Sequence, residues 1–266
     1  MSAQTAASPG FAKNPSYRIG WETSPRRVRV MFNGETIADT TRAQLMLEQN
    51  HLPVYYFPMA DVRMDLLVRT TNKTHCPFKG EASYWSIVVG GKTAENAVWG
   101  YQEPYAESAH INGHVAFYWN RVDHWYEEDE EVFVHARDPY KRVDAMPSHR
   151  PVKVVLGGQT VAETRNARFL FETGLPTRYY IPREDVKMSL LAPSATKTRC
   201  PYKGVASYYS GLIGGKEYPD IAWYYDDPIP ECPKIKGLLC FFNENVDAIL
   251  VDGKEAPKPK TKWSKE

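Results

Sequence analysis

Apolar residues along this chain come in short bursts broken by turn residues, a rhythm that predicts strands more than long helices. Arg27-Val28-Arg29-Val30-Met31-Phe32 predicts the first strand. Asn33-Gly34 after it predicts a tight hairpin, because both central residues of a type I′ turn need positive φ. Gly157-Gly158 offers the same freedom later in the chain. Residues 82–89, 98–102 and 115–119 predict further strands, with Gly90-Gly91-Lys92 as a turn. Residues 41–49 predict a short helix, with Ala43, Leu45, Met46 and Leu47 as apolar content and Thr40 as cap. A counterpart over 165–173 would be stopped by Gly174 and Pro176. Pro58 and Pro182 each precede one expected helical turn. The sum is a mainly β chain, antiparallel, with one or two short helices per unit.

The pattern occurs twice. Cys76-Pro77-Phe78-Lys79-Gly80-Glu81-Ala82-Ser83-Tyr84 returns as Cys200-Pro201-Tyr202-Lys203-Gly204-Val205-Ala206-Ser207-Tyr208, a shift of 200 − 76 = 124 residues. The same shift carries Tyr55-Tyr56 onto Tyr179-Tyr180, Asp61-Val62 onto Asp185-Val186, and Trp99-x-Tyr101 onto Trp223-x-Tyr225. Self-similarity at a fixed spacing means one structural unit built twice. The expected division is an N-terminal arm over 1–24, loosely held and docking through Tyr17 and Trp21, then a first repeat domain over 25–134. An ordered, charge-rich connector follows over 135–150, then a second repeat domain over 151–253 and a disordered tail over 254–266. The two domains are expected to pair about an intramolecular pseudo-twofold axis.

Composition narrows the function classes. A formal net charge of +1 across 266 residues gives no cationic excess for nucleic-acid binding. No apolar run approaches the roughly 20 residues that span a bilayer, so no membrane partner is expected. Residues 1–14 are small and polar without the apolar stretch of a secretory signal. Four cysteines are few for a disulfide scaffold, and only Cys76 and Cys200 are repeat mates, which fits free thiols in a cytoplasmic protein.

The repeat also acts as a filter, because chemistry common to both units uses only residue types present in both. All seven histidines precede residue 151, so a Ser-His-Asp or Cys-His mechanism cannot be shared. His75 and Cys76, adjacent on a strand, would point to opposite faces, and Cys76 reads as a small buried hydrophobe. A zinc site wants paired cysteines, and each unit offers one, followed three positions later by lysine. No metal and no cofactor is therefore expected. Asp65 of Asp61-x3-Asp65 becomes Ser189, and the repeated acids Glu48/Glu172, Asp61/Asp185, Glu107/Glu231 and Asp123/Asp247 are dispersed in sequence. Lys79-Gly80 is not a phosphate loop, since the residues after it predict a strand.

What survives is a polar and aromatic set: Asp61, Lys79, Tyr84, Trp99 and Tyr101 with mates Asp185, Lys203, Tyr208, Trp223 and Tyr225. An ion pair between Asp61 and Lys79 would serve as a structural lock or as part of a binding site. In the second reading Tyr84, Trp99 and Tyr101 wall a small-molecule pocket, Lys79 faces an anionic or carbonyl group, and Asp61 orients the lysine. Trp99 and Tyr101, two apart on a strand, would share one face. The alternatives are a metal-independent enzyme using Lys79 or Tyr84 for acid–base or amine chemistry, and a protein-interaction scaffold.

Cys76-Pro77-x-Lys79-Gly80-x-Ala82-Ser83-Tyr84, Trp99-x-Tyr101-x-x-Pro104, and their mates resemble the family carrying domain of unknown function 427, here in tandem form. His135-x-Arg137-Asp138-Pro139-Tyr140 and Leu170-Phe171-Glu172-Thr173-Gly174-Leu175-Pro176 resemble the connector and second copy of tandem members. The resemblance covers residues 26–252. It implies a β-tent-like domain, two pinned antiparallel sheets, in each half. Better-known β-tent proteins hold zinc with two CxxC pairs and bind small molecules in an aromatic cage, and this chain lacks the second cysteines. The family's occasional nucleotidyltransferase label would require a paired-carboxylate metal site or a phosphate loop, which the repeated residues do not offer. The expected function is an uncharacterised two-domain protein binding an unknown small molecule in an aromatic-walled pocket in each β domain.

Overall fold

The structure, a computed structural model, describes residues 6–264. The chain divides into two units between Asp138 and Pro139. In domain one the strands are β1 (Ile19–Thr23), β2 (Val28–Phe32), β3 (Glu35–Thr40), β4 (Gln44–Glu48), β5 (Val54–Pro58), β6 (Leu67–Cys76), β7 (Gly80–Val89), β8 (Lys92–Gly100), β9 (His114–Phe117), β10 (His124–Glu127) and β11 (Glu130–Val132). They form a seven-stranded antiparallel sheet in the order β1-β4-β5-β9-β8-β7-β6 and a four-stranded one in the order β11-β10-β2-β3.

The two sheets have different burial patterns. In β2, Val28, Val30 and Phe32 are buried and alternate with partly exposed Arg29 and Met31, as expected of a sheet with one covered face. In β7, Ala82 to Ile87 are buried without a break, so the seven-stranded sheet is covered on both sides. Its inner face packs Tyr55, Phe57, Trp85, Ile87, Val98 and Phe117 against Val28, Val30 and Ile37 of the smaller sheet. Its outer face carries a second cluster, with Tyr56, Tyr84, Tyr101 and Ile111 at its centre.

Domain two repeats this plan. Its strands are β12 (Val143–Ser148), β13 (Val152–Leu156), β14 (Gln159–Thr164), β15 (Ala167–Glu172), β16 (Arg178–Ile181), β17 (Leu191–Cys200), β18 (Gly204–Ile213), β19 (Lys216–Tyr224), β20 (Leu239–Phe241), β21 (Ala248–Val251) and β22 (Lys254–Glu255). The sheet orders, β12-β15-β16-β20-β19-β18-β17 and β14-β13-β21-β22, are those of domain one under the 124-residue shift.

The mainly β, antiparallel architecture in two tandem halves is as read from the sequence, and so are the hairpins. Asn33 and Gly34 have φ of 48° and 82°, and Gly157 and Gly158 have 59° and 72°. The expected helical turns are single 3₁₀ turns at Met59–Asp61 and Arg183–Asp185. The helices expected over 41–49 and 165–173 are corrected: these residues form strands β4 and β15. Leu45 faces the inner core and Met46 the outer cluster, so a strand covered on both faces has consecutive apolar residues that look helical in composition. Gly174, with φ of 74°, turns the chain after β15 and caps no helix.

The described residues of the arm and the tail pack on the domains they flank. Described residues of the arm form a short helix, α1 (Pro9–Lys13), and the edge strand β1, which pairs with β4. Gly10 N–H donates to Pro77 O at 2.8 Å, and the Ser8 hydroxyl to the same oxygen at 2.8 Å. Part of the connector, Val143–Ser148, is β12, paired with β15. The tail lies on domain two, with Asn243 Nδ2 donating to Pro257 O at 3.1 Å and Asn245 Nδ2 to Trp263 O at 3.0 Å. Residues 1–5 and 265–266 of the arm and tail lie outside the described residues. Among the described residues no helix is long and apolar enough to cross a membrane.

The Lys-Gly step opens β7 and β18, as expected of a strand and not of a phosphate loop. Gly80 has φ of +109° and a Cβ there would sit 3.2 Å from Glu103 O; Gly204 has φ of +107° and a Cβ 3.3 Å from Asp227 O. Either Gly→Ala change is expected to destabilise its own domain by about 1–3 kcal/mol, read as a lower urea midpoint at constant m.

Candidate functional site

A row of side chains crosses the outer face of each seven-stranded sheet. In domain one Tyr84 is opposite Trp99, Trp99 opposite Ala116, and Ala116 opposite Tyr56. The small Ala116 lets the Trp99 and Tyr56 rings meet edge to face, with centroids 6.4 Å apart. In domain two the row is Tyr208, Trp223, Cys240 and Tyr180. Here Trp223 Nε1 donates to Tyr180 OH at 3.1 Å. Burial pushes the Cys240 thiol up to about 12, so it acts as a small apolar filler. Thr74 Oγ1 lies 2.8 Å from Tyr84 OH, and Thr198 Oγ1 2.7 Å from Tyr208 OH. Tyr101 and Tyr225, one residue beyond the strand residues that follow Trp99 and Trp223, complete each cluster.

Lys79 and Lys203 lie over the same face, and each forms a buried ion pair. Lys79, 6% exposed, bonds Glu48 at the end of β4, and Lys203, 8% exposed, bonds Glu172 at the end of β15 with Nζ–Oε2 of 2.5 Å. The expected Asp61–Lys79 pair is therefore corrected. Asp61 accepts from Thr40 Oγ1 at 2.6 Å and from Arg42 Nη2 at 2.5 Å, and Asp185 accepts from Thr164 Oγ1 at 2.6 Å. These contacts tie a 3₁₀ turn to the end of β3 or β14, where Val62 bridges Ala38 and Val186 bridges Ala162. The hydrogen bonds from Arg42 and Thr40 hold the Asp61 carboxyl below its usual range. Asp61 and Asp185 are staples of the fold and do not orient the lysines.

The glutamates that do are repeat mates in the sequence, and strands β4 and β15, where a helix is expected, place them across from the Cys-Pro-x-Lys-Gly loop. The second oxygen of each carboxylate is served differently. Tyr17 OH donates to Glu48 Oε1 at 3.1 Å, while the Tyr17 ring stacks on Phe78 at 4.0 Å. At the equivalent place in domain two, Lys141 Nζ lies 3.9 Å from Glu172 Oε1 and 5.7 Å from the Tyr202 ring centroid. Burial and the Glu48 carboxylate push the Tyr17 hydroxyl up to about 12. In domain one a shallow cleft of about 570 Å³ opens beside this pair, lined by Arg18, Leu47, Glu48, Gln49, His51 and Pro53.

Burial alone would lower the Lys203 ammonium, but Cys200 and Glu172 raise it above the ordinary lysine value. Burial raises Tyr101 and Tyr225 far above the usual phenol range, which removes them as bases at neutral pH. His75 Nε2 bonds Tyr105 OH at 2.9 Å while Cys76 packs against the outer cluster, so the two do not pair. All four cysteines are free of disulfides. Among the described residues no group of three or more His, Cys, Asp or Glu is placed to hold a metal ion.

Domain two has a second buried pair that the sequence did not reveal, because its mates differ. Arg178 Nη1 and Nη2 donate to Glu244 at 2.7 and 2.6 Å, and Thr261 Oγ1 adds a bond to Glu244 Oε1 at 2.8 Å. Burial would raise the Glu244 carboxyl, but these donors hold it below its usual value.

Removing one partner of a buried pair leaves an uncompensated charge. Lys79→Met is expected to cost about 3–5 kcal/mol and Lys79→Met/Glu48→Leu clearly less, checked by a double-mutant cycle in urea. The pH dependence follows from the shifts. The Lys203 contribution is fully present below about pH 10.4, the ordinary lysine value, and is lost as pH rises through its raised value. The Glu244 contribution is present above about pH 4.3 and is lost as pH falls through its lowered value. Stability curves of Lys203→Met and Glu244→Gln against pH should lose the alkaline and the acid limb respectively.

The two sheet pairs coincide with two matches to one family model. The family described as a domain of unknown function, DUF427, matches residues 21–128 and again residues 144–252. No curated protein matches the chain. Those two stretches contain all the repeated residues of the outer faces, and the chain belongs to the DUF427 family as two tandem domains.

Proposed function

We propose that this chain is a small-molecule binding protein whose binding surface is the outer face of the seven-stranded sheet. The observation that carries this reading is the buried Lys–Glu pair beside a Tyr–Trp–Tyr row, present in both copies. Packing alone does not call for an ion pair, which costs several kcal/mol of desolvation per ion and adds little net stability over apolar residues. A polar anchor beside ring faces suits a ligand that presents both an apolar body and a polar group. In domain two the raised Lys203 ammonium favours binding over amine chemistry at that residue. Four cysteines free of disulfides and a net charge of +1 fit a cytoplasmic protein with no nucleic-acid partner.

The test is a fragment library of neutral, anionic and cationic compounds, screened by the indole N–H resonances of the full chain. Hits are expected to shift Trp99 or Trp223 saturably, and Trp99→Leu should weaken those at Trp99 by about tenfold or more, roughly 1.4 kcal/mol. A library that moves neither indole, or hits indifferent to the substitution, would overturn the proposal.

A further inference from the structure

We infer that the aromatic site of domain two is filled by the chain's own Arg178, whereas that of domain one takes an external, weakly hydrated organic cation at Trp99. This rests on the binding reading above and names its ligand class. In domain two the Arg178 guanidinium carbon lies 5.5 Å from the Trp223 ring centroid, 6.0 Å from Phe242 and 5.7 Å from Trp263. Its charge is balanced by Glu244, whose side chain is 0% exposed. A cation between ring faces with a buried carboxylate behind it is an occupied cation site.

Domain one keeps two of these three rings, Trp99 and Tyr118, and loses the occupant. Trp99 and Tyr118 stand 4.5 Å apart with 40° between planes, against 4.4 Å and 46° for Trp223 and Phe242. Under the 124-residue shift Arg178 becomes Val54 and Glu244 becomes Asn120, so cation and carboxylate are both replaced by neutral residues. Trp99 is half-buried where Trp223 is 7% exposed. Trp21, at the place of Ala145, adds a ring 5.2 Å from Tyr56. Arg121 lies over Tyr118 at 4.7 Å, with Nη1 committed to the carbonyls of Glu95 and Asn96. Among the described residues no lysine or arginine lies over Trp99.

The neutral walls select the ligand. With Val54 and Asn120 as the repeat mates of Arg178 and Glu244, a cation bound at Trp99 gains ring-face attraction and dispersion but no equivalent carboxylate. A strongly hydrated primary ammonium would lose more solvation than it regains, while a quaternary ammonium or a guanidinium loses less. The ligand class is therefore a small molecule bearing such a group.

Tetramethylammonium chloride is the probe, titrated into the full chain against sodium chloride at equal ionic strength. The Trp99 indole resonance is expected to shift saturably and that of Trp223 to stay, with the response lost in Trp99→Leu. Val54→Arg/Asn120→Glu, which copies domain two into domain one, should lower the affinity at Trp99 at least tenfold. Arg178→Val/Glu244→Asn should open a second site at Trp223. If this last variant does not fold, the domain-one exchange decides alone. Equal shifts at both indoles, no shift at Trp99, or unchanged binding in Val54→Arg/Asn120→Glu would overturn the inference. Neutral or anionic fragments that still shift Trp99 when tetramethylammonium does not would leave the general binding function standing and remove only the cation.

Discussion

The seven-stranded sheet in each domain is apolar on both faces, and the domain supplies only one sheet to cover it. That constraint organises the rest of the structure. The inner face is sealed by the four-stranded sheet through aliphatic and aromatic packing. The outer face has no second sheet, so it is covered by loops and side chains with polar ends: the Cys-Pro-x-Lys-Gly loop, the tyrosine and tryptophan row, and the 3₁₀ segments that carry Ile111 and Ile235. A surface built this way buries rings while keeping hydroxyls, an indole N–H and an ammonium close together.

The buried charges follow from the same geometry. The loop that covers the outer face passes over the end of β4 or β15, and the glutamate there meets the lysine of the loop. The pair fixes the loop relative to the sheet, and the second carboxylate oxygen holds whichever segment precedes the edge strand. In domain one that is Tyr17, which clamps the N-terminal segment by stacking on Phe78. In domain two the same oxygen faces Lys141. One interaction thus ties three segments far apart in sequence, and its loss would be felt as instability well beyond two side chains.

Duplication preserved this framework and let the aromatic end diverge. Arg178, Glu244 and the tail residues Thr261 and Trp263 close the row in domain two. Val54 and Asn120 replace that ion pair with neutral residues in domain one, where Trp21, His110 and His114 gather instead. Burial and the neighbouring His114 lower His110, which favours its neutral ring beside Trp21. The repeated residues account for what the two domains share, and the unrepeated ones for what separates them.

The sequence determined the duplication, the antiparallel β class, the turn positions and which side chains both domains retain. Each of these depends on local residue identity: positive φ at Asn33-Gly34 and Gly157-Gly158, short apolar runs, and motifs that recur at fixed spacing. The tertiary structure decided which of the retained residues meet. Consecutive apolar residues at Leu45-Met46-Leu47 do not distinguish a helix from a strand covered on both faces, so the local pattern points Lys79 to Asp61 whereas its partner is Glu48. Lys79 and Glu48 are 31 positions apart, and Arg178 and Glu244 66 apart, which places both pairs beyond any local pattern. Contacts of that range are set by strand order and register, and those arise only when the whole sheet is assembled.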